Sequence, residues 1–175
     1  MNGINSGYPT AHAAWAGLTA ASLAAAGFTG PAAILDGERG FFAAMCPDHD
    51  ASRVVAPEPD WLIHQTSFKP WPACRHTHAV IDCVLALREQ AGTGALQFEY
   101  SDVFSFDDAI DICDDSAPKT RTEAKFSLQY CVAAAAQFGP LAPSHFDPET
   151  IARYDLRALA GRVRLQREAV ISARY

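Results

Sequence analysis

One segment constrains the fold more than any other: TRTEAKFSLQYCVAAAAQFGP, residues 120–140, which carries its own start and stop signals. Thr120 followed three residues later by Glu123 is a capping box, in which the hydroxyl and the carboxylate satisfy opposite backbone donors. Gly139 and Pro140 close the segment in the order expected of a helix C-terminus. The residues between are mostly small or apolar, so the spacing predicts one apolar helix running to Phe138.

The rest of the chain divides by character. In the run from Ala11 to Phe28, Trp15, Leu18, Thr19, Ser22, Leu23 and Ala26 fall on one helical face as an inward stripe, and Gly27 ends it. A turn at Gly30-Pro31, a short helix with Ile34 and Leu35, and the pair Phe41 and Phe42 follow. A helix with small residues all round needs more neighbours than this stretch supplies, so residues 1–59 read as the C-terminal part of a larger helical domain. Pro57 and Pro59 in APEPDW mark the boundary. Residues 60–175 read as α+β. They open with a short extended piece to Phe68 and the turn KPWP, followed by a helix from Cys74 to Gln90 that buries Val80, Ile81, Val84, Leu85 and Leu87. ALQFEYSDVFSF alternates as a strand with Leu96, Phe98 and Tyr100 on one side. A helix from Pro148 to Leu159 leads to Val163, Leu165, Val170 and Ile171, which suggest a strand or two at the end. The fold class is α+β.

Composition narrows the function. The 49% hydrophobic content excludes disorder in this 175-residue chain, and 14 Lys+Arg against 20 Asp+Glu give a net charge of −6. With only three lysines, Lys69, Lys119 and Lys125, the chain offers little to a phosphate backbone, and nucleic acid is not an expected partner. The Ala11–Phe28 run follows no basic segment and is mostly Ala, Gly, Ser and Thr, so neither a secretion signal nor a membrane span is expected. Five widely spaced cysteines, Cys46, Cys74, Cys83, Cys113 and Cys131, form no disulfide framework and point to a reducing cytoplasm.

The densest polar cluster is KPWPACRHTHAVIDC, with Lys69, Cys74, Arg75, His76, His78, Asp82 and Cys83 around a turn and a helix start. A zinc site lacks paired ligands, since neither CxxC nor HxxxH occurs. A Cys74–His78 nucleophile gains from the helix N-terminus but has no oxyanion hole in view. An anion site uses Lys69, Arg75 and the helix start, with Asp82 orienting the ring of His78. A solvated helix start is the fourth alternative. The acidic stretch from Glu99 to Asp115 lacks the spacing of a calcium loop and reads as a solvated face opposite the arginine-rich tail. Tyr130 in FSLQY fits core packing with its hydroxyl at a rim.

Taken together, GLTAASLAAAGFTGPAAILDGERGF, FKPWPACRHTHAVIDCVLALR and TRTEAKFSLQYCVAAAAQFG resemble three successive signatures of the MmgE/PrpD family, in the same order and at similar separations. That family includes 2-methylcitrate dehydratase, cis-aconitate decarboxylase and iminodisuccinate epimerase. The resemblance implies a helical domain followed by an α+β lid domain, a homodimer, and cofactor-free, metal-free removal of a proton alpha to a carboxylate, with elimination or epimerisation of a small di- or tricarboxylate. It assigns catalytic roles to Lys69 and Tyr130, and Lys69, Arg75 and His78 are the expected substrate-binding residues. The family's other lysine aligns near Ser6, and its upstream aspartate and histidines find no counterpart. The expectation is therefore an internal fragment that needs a companion helical-domain chain, with its lid truncated at the end. The alternative is an inactive carboxylate-binding or dimerising remnant.

Overall fold

The computed structural model describes residues 7–46, 48, 50, 61–92 and 94–174. Ser6, Pro57 and Pro59 lie outside them, and with them the expectations placed on those positions. The chain divides into two compact units, Ser6–Ser67 and Phe68–Tyr175.

In the first unit the described elements are helical: α1 (Gly7–Ala25), α2 (Phe41–Met45) and a 3-10 turn at Leu62–Gln65. Gly27 takes a positive φ of 88°, and the Phe28 N–H returns to the Leu23 carbonyl, closing α1. The expected inward stripe is not buried. Trp15 is 63% and Leu18 72% exposed, because an alanine-rich helix of this length offers shallow contacts and the described remainder of the unit is too short to cover it.

The second unit is built around the predicted apolar helix, with one correction. The segment forms two helices, α5 (Arg121–Lys125) and α6 (Leu128–Phe138), broken at Phe126 and Ser127. The capping box is present, with the Glu123 N–H donating to the Thr120 hydroxyl and the Thr120 N–H to the Glu123 carboxylate. The break has its own cap. Ser127 accepts from the Tyr130 N–H at 2.9 Å and donates to the Asp115 carbonyl at 2.5 Å, so one buried hydroxyl starts α6 and anchors the preceding loop.

Every residue of α6 from Leu128 to Ala136 is buried. The run of alanines lets α3 (His78–Ala91) and α8 (Tyr154–Ala160) pack directly on it. Ile81, Phe146 and Leu156 belong to the core around it, each contributing about 1.5–3 kcal/mol by burial. At the far end Gly139 has φ 84°, and Arg88 donates to the carbonyls of Ala136 and Gly94, holding the loop before the sheet against the helix end.

The sheet has two parallel strands, β1 (Ser101–Ser105) and β2 (Val163–Arg167), with Val103 opposite Leu165. The strand expected over residues 95–106 is thus only its second half. Leu96 packs on the core and its N–H bonds the Ala136 carbonyl, while Tyr100 is exposed beneath the Arg164 guanidinium. The helix expected at Pro148–Leu159 is split into α7 (Pro148–Ile151) and α8 by an extended Arg153. Val170 and Ile171 lie in a helical turn, α9 (Ala169–Ser172), because the Glu168 carboxylate caps the Val170 N–H. Arg167 binds Asp107 and Asp111 of α4 (Asp107–Cys113), so part of the acidic stretch does face the arginine-rich tail. The fold is α+β, as expected. Among the described residues no helix is long and apolar enough to cross a membrane.

Ser127→Ala removes a helix cap and leaves the Asp115 carbonyl short of a donor, and is expected to lower stability by about 2–3 kcal/mol. Thr120→Ala, at an exposed cap, should cost about 1 kcal/mol. Urea midpoints at unchanged slope measure both, and equal losses would refute the double role of Ser127.

Candidate functional site

The turn from Phe68 to Cys74 carries Lys69 and leads into Arg75. Its last residue is tied down by a Cys74 N–H bond to the Lys125 carbonyl at 2.8 Å, and the chain then enters a 3-10 turn at Arg75–Thr77 that runs into α3. The helix predicted from Cys74 therefore begins as α-helix only at His78. Thr77 is fully buried and bonds back to the Cys74 carbonyl with both its N–H and its hydroxyl. These bonds fix the directions of the residues on either side.

Arg75 is exposed and reaches back over the turn. Its Nη1 donates to the Phe68 carbonyl at 3.3 Å and stands 3.5 Å from Nδ1 of His78. His78 is buried, with Nε2 3.3 Å from the Ala73 carbonyl. A carbonyl only accepts, so the ring proton sits on Nε2 and Nδ1 is the acceptor facing Arg75. Burial holds the imidazole below its ordinary value of 6.5. The charges of Arg75 and Lys69 push the same way, against the Ala73 bond and the Asp82 charge. His78 is thus neutral at pH 7. Asp82 does not orient that ring as the sequence suggested. Its carboxylate accepts from the Trp71 indole at 2.8 Å and pins the KPWP turn to α3.

Lys69 lies exposed on the turn, and neither it nor Arg75 is ion-paired among the described residues. The structure gathers Lys69, Cys74, Arg75 and His78 at the N-terminal end of α3. Tyr130 belongs to a second group. It is buried in α6, and its hydroxyl donates to the His145 carbonyl at 2.5 Å. Burial and the neighbouring Cys131 thiol raise its pKa, Arg153 opposes them, and the phenol stays protonated.

His145 was not singled out in the sequence. Its Nδ1 accepts the Ala142 N–H at 3.1 Å and its ring stacks on Phe138 at 4.5 Å, with Arg153 over the same Phe138. The signal available was APSHFD, where a proline opens a turn whose third residue can reach back to the residue before it. Cys113 was also passed over. It packs with Cys74, Ala109 and Leu128 in a small cluster beside the main core. Among the described residues no group of three or more His, Cys, Asp or Glu side chains is gathered to hold a metal ion.

The neutral His78 carries a pH signature. Its folded pKa lies below 6.5, so as pH falls the unfolded chain takes up the proton first. Its contribution to stability is complete above pH ~6.5 and is lost progressively below it. His145, lowered by burial, acts in the same sense. Stability measured by denaturant from pH 7 to 5 should therefore fall, and His78→Gln should flatten the slope. An unchanged slope in the variant would mean that His78 binds its proton equally well in the folded and unfolded chain, against the burial argument.

Two family models match the chain. The MmgE/PrpD N-terminal domain model matches residues 2–54, and the MmgE/PrpD C-terminal domain model matches residues 71–175, a stretch holding Cys74, Arg75, His78 and Tyr130. No curated protein matches the chain. The C-terminal match alone spans more than half of the 175 residues, on the same segments that build the turn, α3 and α6: the chain belongs to the MmgE/PrpD family.

Proposed function

We propose that the turn carrying Lys69 and Arg75 is the carboxylate-binding part of a dehydratase-like lyase site acting on small di- or tricarboxylates. Family membership supports the lyase theme. The observation that carries the reading here is the pair of cations, free of ion pairs among the described residues, beside a neutral histidine. A carboxylate placed there receives charge-assisted hydrogen bonds without first displacing an internal acid. In the proposed reaction Lys69 and Arg75 hold the carboxylates and lower the cost of negative charge that develops when the alpha proton is removed. His78, with its proton directed at Ala73, positions Arg75 and is not the base. Tyr130 is the protonated group at which reprotonation or departure of a beta group is assisted, once its hydroxyl exchanges the His145 carbonyl for substrate. The upstream residues of this reaction belong to the helical domain, in a homodimer or a companion chain. The domain division at residues 59 and 60, with a lid-type second part, and the cytoplasmic setting belong to the same proposal. The proposed substrate class is that of 2-methylcitrate and related small acids.

A second reading, a carboxylate-binding or dimerising remnant without turnover, is favoured by one observation: the Tyr130 hydroxyl is already committed to a backbone carbonyl.

Calorimetric titration with citrate separates these readings from a solvated helix start. Binding is expected, weakening with added salt, and Lys69→Gln or Arg75→Gln should each reduce affinity about five- to tenfold. Equal affinity in wild type and both variants would sink the site. Exchange of substrate alpha protons in deuterated water distinguishes the enzyme from the remnant.

A further inference from the structure

Cys74 and Cys113 meet in the small apolar cluster formed where the turn before α3 packs on α4. Their surroundings differ. Cys113 is wholly buried, whereas Cys74 keeps 9% of its surface open. Lys69 adds positive charge and His76 a backbone N–H on the Cys74 side, and Cys131 lies behind, buried and bonded weakly to the Ala124 carbonyl. The Cys74 backbone is held by Lys125 on one side and Thr77 on the other, so its thiol is presented in a fixed place.

From this juxtaposition we propose that Cys74 and Cys113 form a peroxide-sensitive dithiol, in which Cys74 is the attacking thiol and Cys113 the resolving one. The Cys74 thiolate attacks one oxygen of a hydroperoxide. The O–O bond breaks, the other oxygen leaves as hydroxide or alkoxide and takes up a proton, and Cys74 becomes a sulfenic acid. Cys113 then attacks that sulfur. Its proton passes to the departing hydroxyl, which leaves as water, and the S–S bond forms. Sulfur is oxidised and peroxide reduced, with two thiols and one peroxide giving one disulfide and two molecules of water or of water and alcohol. Hydrogen bonding from Cys113 favours the thiolate of Cys74, as the His76 backbone N–H and the Lys69 charge do, while burial opposes it. The pair thus divides the two roles between its members. Oxidation would tether the turn bearing Lys69 and Arg75 to α4. The inference is independent of the carboxylate reading.

The test exposes the reduced wild-type chain to one equivalent of hydrogen peroxide, blocks remaining thiols under denaturing conditions, and maps the peptides by mass spectrometry. A linked Cys74–Cys113 peptide, lighter by two hydrogens and restored by dithiothreitol, is expected before the exposed Cys83 is modified. In Cys113→Ser, Cys74 should instead be trapped as sulfenic acid by a cyclic diketone, and circular dichroism checks that this variant is folded. Oxidation of Cys83 or Cys46 ahead of the pair would overturn the proposal. A link from Cys74 to Cys131, or no intrachain disulfide in the wild type, would do the same.

Discussion

Residues 68–175 depend on a helix with almost no solvent face. Burying α6 from Leu128 to Ala136 means that every neighbour must approach it closely, which alanine permits and a larger residue would prevent. The polar groups caught in this packing are satisfied. Gln129 donates to the Asp114 carboxylate at 2.6 Å and accepts from the Asp115 N–H, and Ser127 serves the same loop. Among the described residues no buried side-chain nitrogen or oxygen lacks a partner. The polar anchoring is concentrated at the ends of α6, and there the loops toward α4, the sheet and His145 are attached.

The proposed carboxylate site depends on this core only at second hand. Lys69 and Arg75 are exposed, but the turn that carries them is tied by Cys74 to the Lys125 carbonyl and by Trp71 to Asp82. A rigid base thus presents cations that have no internal counter-ion among the described residues. Elsewhere in the unit, three arginines are neutralised by close acids: Arg121 by Asp147, Arg153 by Asp155, and Arg167 by Asp107 and Asp111.

Much of this was legible in the sequence where one short-range rule decides the outcome. The capping box at Thr120 and the glycine stop at Gly139 are both present, because each involves residues close in the chain. The break at Ser127 was masked by apolar periodicity continuing through it, and a serine announces a cap only when its hydroxyl has a remote partner such as Asp115. Alternation overstated β1, since a strand extends only as far as its partner, and in the parallel register β2 begins at Val163, opposite Ser101. The cation cluster could be read from adjacent residues. The role of Asp82 could not, because helical spacing pointed to His78 while the nearer donor was an indole brought round by the KPWP turn. Cys113 had no local signal at all.

The parallel register of the sheet has a consequence for how the molecule assembles. Ser101 pairs with Val163 and Ser105 with Arg167, so the connection between the strands is the whole run of helices from Asp107 to Ala160. Closing so long a loop has an entropic cost that the few ladder bonds of two five-residue strands repay poorly until the intervening helices have collapsed. The sheet is therefore the last element to form and the first to open. Substitutions along β1 and β2 should register mainly in the rate of unfolding, and those in α6 mainly in the rate of folding.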